Sequence, residues 1–214
     1  MGLSLKGPLL FFSALIYMQK KYGDNNPMNE NNFNAIPKYE YEKISDISIQ
    51  DLKEMGVKAV GIDIDNTTAY DSSFTVLSGV RSWIKNVQEA GFKVIIITNT
   101  YSLRAKHFSR KMGHIPYIAM ARKPLTKNFF VAAKKLGVDV SELAMIGDQL
   151  FTDIQGANAA GAVSVLVHYA KPEVLFGSRF RKLRERERNY LKNKGYIRKK
   201  WGTKANDREN KNLK

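Results

Sequence analysis

The stretch Gly61-Ile62-Asp63-Ile64-Asp65-Asn66-Thr67-Thr68 follows Val57-Lys58-Ala59-Val60, a short β-branched run that reads as a buried strand. Two carboxylates two residues apart therefore stand where a strand runs out into a loop. In an open α/β sheet, ligands bind in the crevice at the carboxyl ends of the strands, and a period of two sends Asp63 and Asp65 to roughly the same side. Carboxylates held that close repel one another unless a cation or a shared proton intervenes. The stretch asks for a metal ion, although alone it reads equally well as an Asp- and Asn-rich turn.

Around it, strands and helices alternate. Ser48 is placed to cap a helix over Ile49–Met55 that Gly56 ends, and strand one runs over Val57–Ile62. A polar connection, Thr67–Thr75, leads to an amphipathic helix over Leu77–Ala90, closed by Gly91. Strand two, Val94–Thr98, is continuously apolar, as suits a parallel strand covered on both faces. It ends in Thr98-Asn99, a natural phosphate seat, with Ser102 placed to cap the next helix. A short third strand, Tyr117–Met120, leads to Arg122-Lys123-Pro124, and Pro124 suits the first turn of a helix over Leu125–Leu136. Strand four, Leu143–Ile146, delivers Gly147-Asp148-Gln149-Leu150-Phe151-Thr152-Asp153. A helix over Thr152–Ala160 and strand five, Val163–Val167, complete the pattern. The fold class is α/β, a parallel sheet with helices on both faces.

Four features line up in order at strand ends: Asp63 with Asp65, then Thr98, then Lys123, then Asp148 with Asp153. Each has a role in phosphoryl transfer from a monoester. A carboxylate that attacks phosphorus forms an aspartyl-phosphate and splits one hard displacement into two easier ones; Asp63 is assigned that attack. Asp65 is assigned protonation of the leaving alkoxide and then activation of the hydrolysing water. Magnesium, which wants near-octahedral oxygen ligands, would be held by Asp63, the backbone carbonyl of Asp65 and Asp148. Asp153 would steady a metal-bound water or Lys123. Thr98, Asn99 and Lys123 would hold the non-transferring phosphate oxygens, and Asn66 and Thr67 would fix the loop after the nucleophile.

The 214 residues suffice for one domain with a sizeable core plus extensions. Absence of cysteine excludes disulfides, thiolate zinc sites and cysteine nucleophiles, and His107, His114 and His168 lack metal-ligand spacing. The formal net charge of +15 is uneven, since Lys171 to Lys214 carries 16 Lys and Arg against 5 Asp and Glu. A basic tail implies an acidic partner, an anionic membrane surface or nucleic acid. Within it Phe176, Phe180, Leu183, Tyr190 and Leu191 fall at helical spacing, so 171–200 reads as a basic amphipathic helix that lies on a membrane, cradles nucleic acid or packs on its own domain. Residues 201–214 read as a disordered tail. At the other end, Pro8–Met18 is apolar but shorter than the ~20 residues of a spanning helix. Residues 1–35 are expected to lie outside the fold, as an interfacial anchor or as an upstream extension whose true start is Met28. The folded domain is then expected over 36–170, in the cytoplasm or peripherally at a membrane.

Asp63-x-Asp65-Asn66-Thr67, the strand Ile95-Ile96-Ile97-Thr98-Asn99, the step Arg122-Lys123-Pro124 and Gly147-Asp148-Gln149-x-x-Thr152-Asp153 together resemble the four motifs of haloacid dehalogenase-like (HAD) phosphatases. The wording of the last motif, through Ile154-Gln155-Gly156-Ala157-Asn158, and the basic helix from Arg179 to Arg188 resemble the subfamily IIIA branch called YqeG. The resemblance covers residues 36–200, with Thr68 standing where a hydrophobic residue is usual. It implies a HAD-like Rossmannoid three-layer sandwich with a mostly parallel sheet and magnesium-dependent phosphomonoester hydrolysis. Relatives of the branch include the mitochondrial phosphatidylglycerophosphate phosphatase, which implies a lipid head-group phosphate as substrate. Separately, the gaps from Thr67 to Thr98 and from Asn99 to Lys123 leave no room for a cap domain, so the crevice should admit large substrates. The alternatives are a phosphatase of nucleic-acid ends or phosphoproteins, and a catalytically idle nucleic-acid- or ribosome-associated protein. The intact acids count against the last, because an acidic cluster facing phosphates gives a binding module nothing.

Overall fold

The computed structural model describes residues 33–70, 73–168 and 177–197, with side chains in the last segment from residue 182. The apolar run Pro8–Met18, most of the Asn-rich linker, Phe176 and the tail from Trp201 lie outside the described residues.

One sheet carries six parallel strands: β1 (Tyr39–Tyr41), β2 (Ala59–Ile62), β3 (Lys93–Ile97), β4 (Tyr117–Ile118), β5 (Leu143–Gly147) and β6 (Val163–Val167). Their order is β1-β6-β5-β2-β3-β4. The chain thus builds outward from β2 to β4, then crosses back to lay β5 against the other side of β2. The α-helices are α1 (Ile49–Glu54), α2 (Val80–Glu89), α3 (Ser102–Lys111), α4 (Lys127–Leu136), α5 (Gln155–Ala160) and α6 (Gly177–Asn193). Alternation along each strand divides the core into two layers. Val60, Ile62, Val94, Ile96 and Ile146 meet α2 and α3 through Ile84 and Phe108, while Ala59, Ile95, Ile97 and Met145 meet α4 and α5 through Phe129, Ala132 and Ala157. No inserted cap domain interrupts the described residues, and no described helix is long and apolar enough to cross a membrane.

Local chemistry explains most boundaries. Ser48 caps α1 reciprocally: its hydroxyl accepts from the Asp51 N–H (3.0 Å) and Asp51 accepts from the Ser48 N–H (2.8 Å). Gly56, at φ 71°, then turns the chain out of the helix. Three expectations need correcting. Ser102 does not cap α3; it is the first helical residue, and Tyr101 precedes it without a side-chain cap. Pro124 lies before α4, which begins at Lys127, and follows Lys123 through a cis peptide. The helix expected from Thr152 begins at Gln155, after a π-helical turn over Leu150–Ile154. Strand β1 is additional to the five expected. Three residues alternating Tyr-Glu-Tyr give no apolar run, and they become a strand because β6 offers an edge, in register Tyr39–Val165 to Tyr41–Val167.

Among the three destinations open to the basic helix, α6 takes its own domain for its inner face. Tyr190 and Leu191 pack on a cluster of Ala35, Leu150, Ile154 and Leu166, and the Ala35 N–H donates to the Tyr190 hydroxyl (3.0 Å). Phe33, the first described residue, joins this cluster, its ring meeting Tyr190 edge-on. Lys182, Arg186, Arg188 and Lys192 remain exposed on the outer face.

Phe129, fully buried, fills the space between α4 and Gly156, where even a Cβ would approach its ring to 2.7 Å. Phe129→Ala is expected to destabilise the fold by about 3–5 kcal/mol, read as a lower midpoint in urea with an unchanged slope.

Candidate active site

The carboxyl ends of β2 and β5, neighbours at the point where strand order reverses, deliver Asp63 and Asp148. The Asp63 N–H donates to Ile146 O (3.0 Å), which fixes its backbone against β5. Asp63, Asp148 and Asp153 are all buried, and each brings a carboxylate oxygen within 4.8 Å of the others. Gly147 permits this convergence: a Cβ there would lie 2.3 Å from the Asp153 carboxyl carbon. The π turn brings Asp153 back toward Gln149, whose N–H donates to its Oδ2 (3.1 Å).

Lys123 supplies the counter-charge. Its Nζ donates to Ile97 O (2.8 Å) and to Asp153 Oδ1 (2.5 Å), and lies 3.0 Å from Asp63 Oδ1. Asn99 holds the Lys123 backbone from both sides: its Nδ2 donates to Lys123 O (3.1 Å), and its Oδ1 accepts from the Lys123 N–H (2.7 Å). The expectation that Asn99 holds a phosphate oxygen is corrected accordingly, for its side chain is committed to positioning Lys123. Thr98 is 1% exposed, and its hydroxyl oxygen accepts from the Thr100 N–H (3.3 Å).

After Asp63 the chain winds tightly around one carbonyl. The N–H groups of Thr68 and Ala69 reach Ile64 O at 3.0 and 2.9 Å, and Asn66 adopts a positive φ of 56°. Thr68, buried where a hydrophobic residue is usual, donates to Asp63 O (3.0 Å), so its hydroxyl closes the loop on the Asp63 backbone. Thr67 is 2% exposed, and its Oγ1 has no hydrogen-bond partner.

Asp65 does not share a side with Asp63 as the period of two suggested. Its Oδ1 accepts from Arg104 Nη1 (2.7 Å), and its carboxylate stands outside the group of three. Arg104, on α3, also donates to Ser73 O (2.7 Å) and lies over the rings of Phe74 and Phe108. In the sequence it is one cation among several on a helix; only its burial, at 4% exposed, distinguishes it.

A second arginine arrives from α6. Arg184 Nη1 donates to Asp148 O (2.7 Å) and to Glu187 Oε2 (2.9 Å), and Nη2 donates to Asp148 Oδ2. Glu187 Oε1 in turn accepts from the Leu150 N–H (2.8 Å). In the sequence both residues read as part of a charge run. The one visible signal was an acid three places after an arginine among cations.

Burial pushes Asp148 well above the usual carboxylate range; Arg184 opposes the shift, and Asp153 and Asp63 reinforce it. Burial likewise pushes Asp153 up to about 6 against the pull of Lys123, with Asp63 adding to the rise. Burial lowers the Lys123 ammonium, but Asp153 and Asp63 outweigh it and hold the group above its ordinary value. The site is short of positive charge. Asp148 Oδ1 is buried without a hydrogen-bond partner, Asp63 Oδ1 has only its ion pair with Lys123, and both are hard oxygen donors, so the residues present fit a hard divalent cation.

A family model described as haloacid dehalogenase-like hydrolase matches residues 14–161. The chain is 34% identical over 163 residues to "Probable phosphatase YqeG" of Bacillus subtilis (strain 168), spanning 76% of this chain and 94% of that protein. It is 31% identical over 114 residues to the "Glyceraldehyde 3-phosphate phosphatase" of Methanopyrus kandleri, spanning 48% of each. Among solved structures, the 3-deoxy-D-manno-octulosonate 8-phosphate phosphatase of Moraxella catarrhalis, in complex with magnesium ion, phosphate ion and KDO, matches with a TM-score of 0.40 at 21% identity, covering 55% of this chain and 73% of that one.

The raised carboxyls set the sign of a pH effect. Between the unfolded value of 3.8 and about 6 the folded protein retains a proton on Asp153 that the unfolded chain gives up, so this stabilising contribution is complete below 3.8 and is lost as pH rises through about 6. A divalent ion takes the place of such protons. Added magnesium is expected to raise the melting temperature little at pH 5 and by several degrees at pH 8. Calorimetric melts with and without the ion check this, and equal shifts at both pH values would count against an ion among these carboxylates.

Proposed function

The chain belongs to the haloacid dehalogenase-like hydrolases, as a phosphatase, and from that premise we propose that it hydrolyses a phosphomonoester on a lipid head group, with magnesium as its ion and phosphatidylglycerophosphate as the leading candidate substrate. The observation that carries the lipid reading is the rim of the crevice. Tyr101, Leu103 and Met120 stand exposed at 53%, 77% and 59% on the segments that follow β3 and β4. Beside them a surface depression of about 440 Å³ is lined by Leu103, Lys106, His107, Arg110 and Lys111. Exposed apolar side chains next to several cations suit the interface of an anionic bilayer. Without a cap among the described residues, an open crevice can meet a phosphate that stays in its membrane. The exposed outer face of α6 adds further positive charge, and the protein is read as cytoplasmic and peripheral.

In the proposed reaction Asp63 attacks phosphorus and forms an acyl phosphate while the P–O bond to the alcohol breaks. Asp65 gives its proton to the departing alkoxide. It then takes a proton from water, whose oxygen attacks phosphorus, and cleavage of the acyl phosphate restores the Asp63 carboxylate. Arg104 holds Asp65 in place for both transfers. Lys123 and the Thr98 hydroxyl stabilise the phosphoryl oxygens; the Lys123 contact to Asp63 is the one a phosphate oxygen would replace. Asp63 and Asp148 would hold magnesium, which would neutralise charge on the carboxylates and the phosphoryl group.

Phosphate release from phosphatidylglycerophosphate in vesicles, phosphorylated RNA ends, phosphopeptides and sugar phosphates, with and without magnesium, tests the reading. The lipid is expected to be the preferred substrate. Asp63→Asn is expected to fall to background, and Asp65→Asn to lose roughly 10²–10⁴-fold in turnover. Full turnover by either variant overturns the mechanism, and preference for RNA ends or phosphopeptides overturns the lipid assignment.

A further inference from the structure

We propose that Arg184 is a positioning residue that makes Asp148 a one-oxygen ligand, so that α6 completes the active site and sets its preference for magnesium over calcium. The inference rests on the reading of Asp63 and Asp148 as ion ligands given above. Its basis is the way one guanidinium engages Asp148 twice. Nη1 takes the backbone carbonyl at 2.7 Å and Nη2 takes carboxylate Oδ2. Two contacts from one rigid planar fork to the backbone and side chain of the same residue fix how that side chain stands on its strand end. Oδ1 is left as the buried oxygen of Asp148 without a hydrogen-bond partner.

The fork is itself held. Glu187, one helical turn along α6, accepts from Nη1 at 2.9 Å and from the Leu150 N–H at 2.8 Å, which ties the helix to the segment just after Asp148. The Arg184 and Glu187 side chains are 7% and 6% exposed, so little solvent competes for these bonds. The helix has other anchors. Tyr190 accepts from Ala35, and the Tyr196 hydroxyl donates to Glu40 Oε2 (2.9 Å). These contacts do not involve Arg184, so α6 is expected to stay docked when Arg184 is changed.

Coordination chemistry gives the arrangement its consequence. Calcium takes 6–8 oxygens in flexible geometry and accepts carboxylates through both oxygens, whereas magnesium demands near-ideal octahedral geometry. With Oδ2 occupied by Nη2, Asp148 offers only Oδ1. Bidentate binding would require breaking a buried charge-assisted bond, a cost that falls on calcium and not on magnesium. A fixed positive charge beside the carboxylate also repels any cation. The geometry points to positioning as the larger effect, because the charge acts alike on both divalent ions while loss of the second oxygen does not.

The test is titration of the full-length protein with magnesium or calcium alone, by calorimetry, for the wild type, Arg184→Ala, Arg184→Lys, Glu187→Gln and the outward-facing Arg186→Ala. Arg184→Ala is expected to weaken magnesium binding about 10–100-fold and to shrink the ratio of magnesium to calcium affinity. Arg184→Lys, which keeps the charge but loses the fork, should keep only part of the ratio, Glu187→Gln should fall between, and Arg186→Ala should match the wild type. Melting curves and protease resistance of the segment after residue 177 confirm that α6 stays docked. If Arg184→Ala does not fold, the comparison of Arg184→Lys with the wild type decides. Unchanged constants for both ions in a docked variant overturn the proposal, as does tighter magnesium binding, which would make Arg184 a competitor of the ion. A wild type that binds neither ion fails the underlying metal reading instead, and so is told apart from failure of the role given to Arg184.

Discussion

Four buried carboxylates share two cations at the end of the central strands, and the rest of the molecule is arranged around that imbalance. Asp63, Asp148, Asp153 and Glu187 face Lys123 and Arg184, which leaves two negative charges uncompensated within this group. At an effective dielectric of ~20, two like charges less than 5 Å apart repel by roughly 3–4 kcal/mol. No single packing contact opposes that, so the geometry has to be imposed by covalent and backbone constraints: adjacent parallel strands, a glycine that admits Asp153, and a π turn that delivers it. The deficit equals one divalent ion. Protons are the substitute in its absence, which is why burial drives Asp148 and Asp153 upward despite their basic neighbours.

The two acids of the first motif show how two residues of spacing separate two chemical environments. Asp63 sits within the carboxylate group beside Lys123. Asp65, a quarter exposed at its side chain, pairs with Arg104 on the opposite side of the loop. One acid is enclosed beside a buried ammonium; the other borders water, where the proposed reaction would exchange its protons. The tight turn on Ile64 O makes the difference, because it rotates the chain away from the strand's alternation before Asp65 is reached.

The sheet's central strands, the three buried acids and Lys123 were legible because each leaves a local mark: an apolar run, an acid at its end, a glycine beside it. The elements that escaped depend on distant partners. Tyr39–Tyr41 becomes a strand only because β6 has an edge to offer. Asn99 reads as a phosphate ligand by position, yet Lys123, 24 residues on, takes both ends of its amide. Arg104 and Arg184 look like any surface cation until burial is known. Ser102 and Pro124 carry the right signals in the wrong place, since the turns before α3 and α4 are shaped to present Thr98 and Lys123 rather than to start a helix early.

The tie between Arg184 and Asp148 spans 36 residues, and it also orders events in time. A nascent chain exposes all six strands once Val167 has emerged, while Arg184 has yet to emerge. At about 5–20 residues per second, the interval is on the order of seconds. During it the sheet can close with its acids in place but without the guanidinium. The strand-end machinery and its last support therefore mature separately, and a ribosome that pauses in this interval would hold a folded sheet whose Asp148 is still free to rotate.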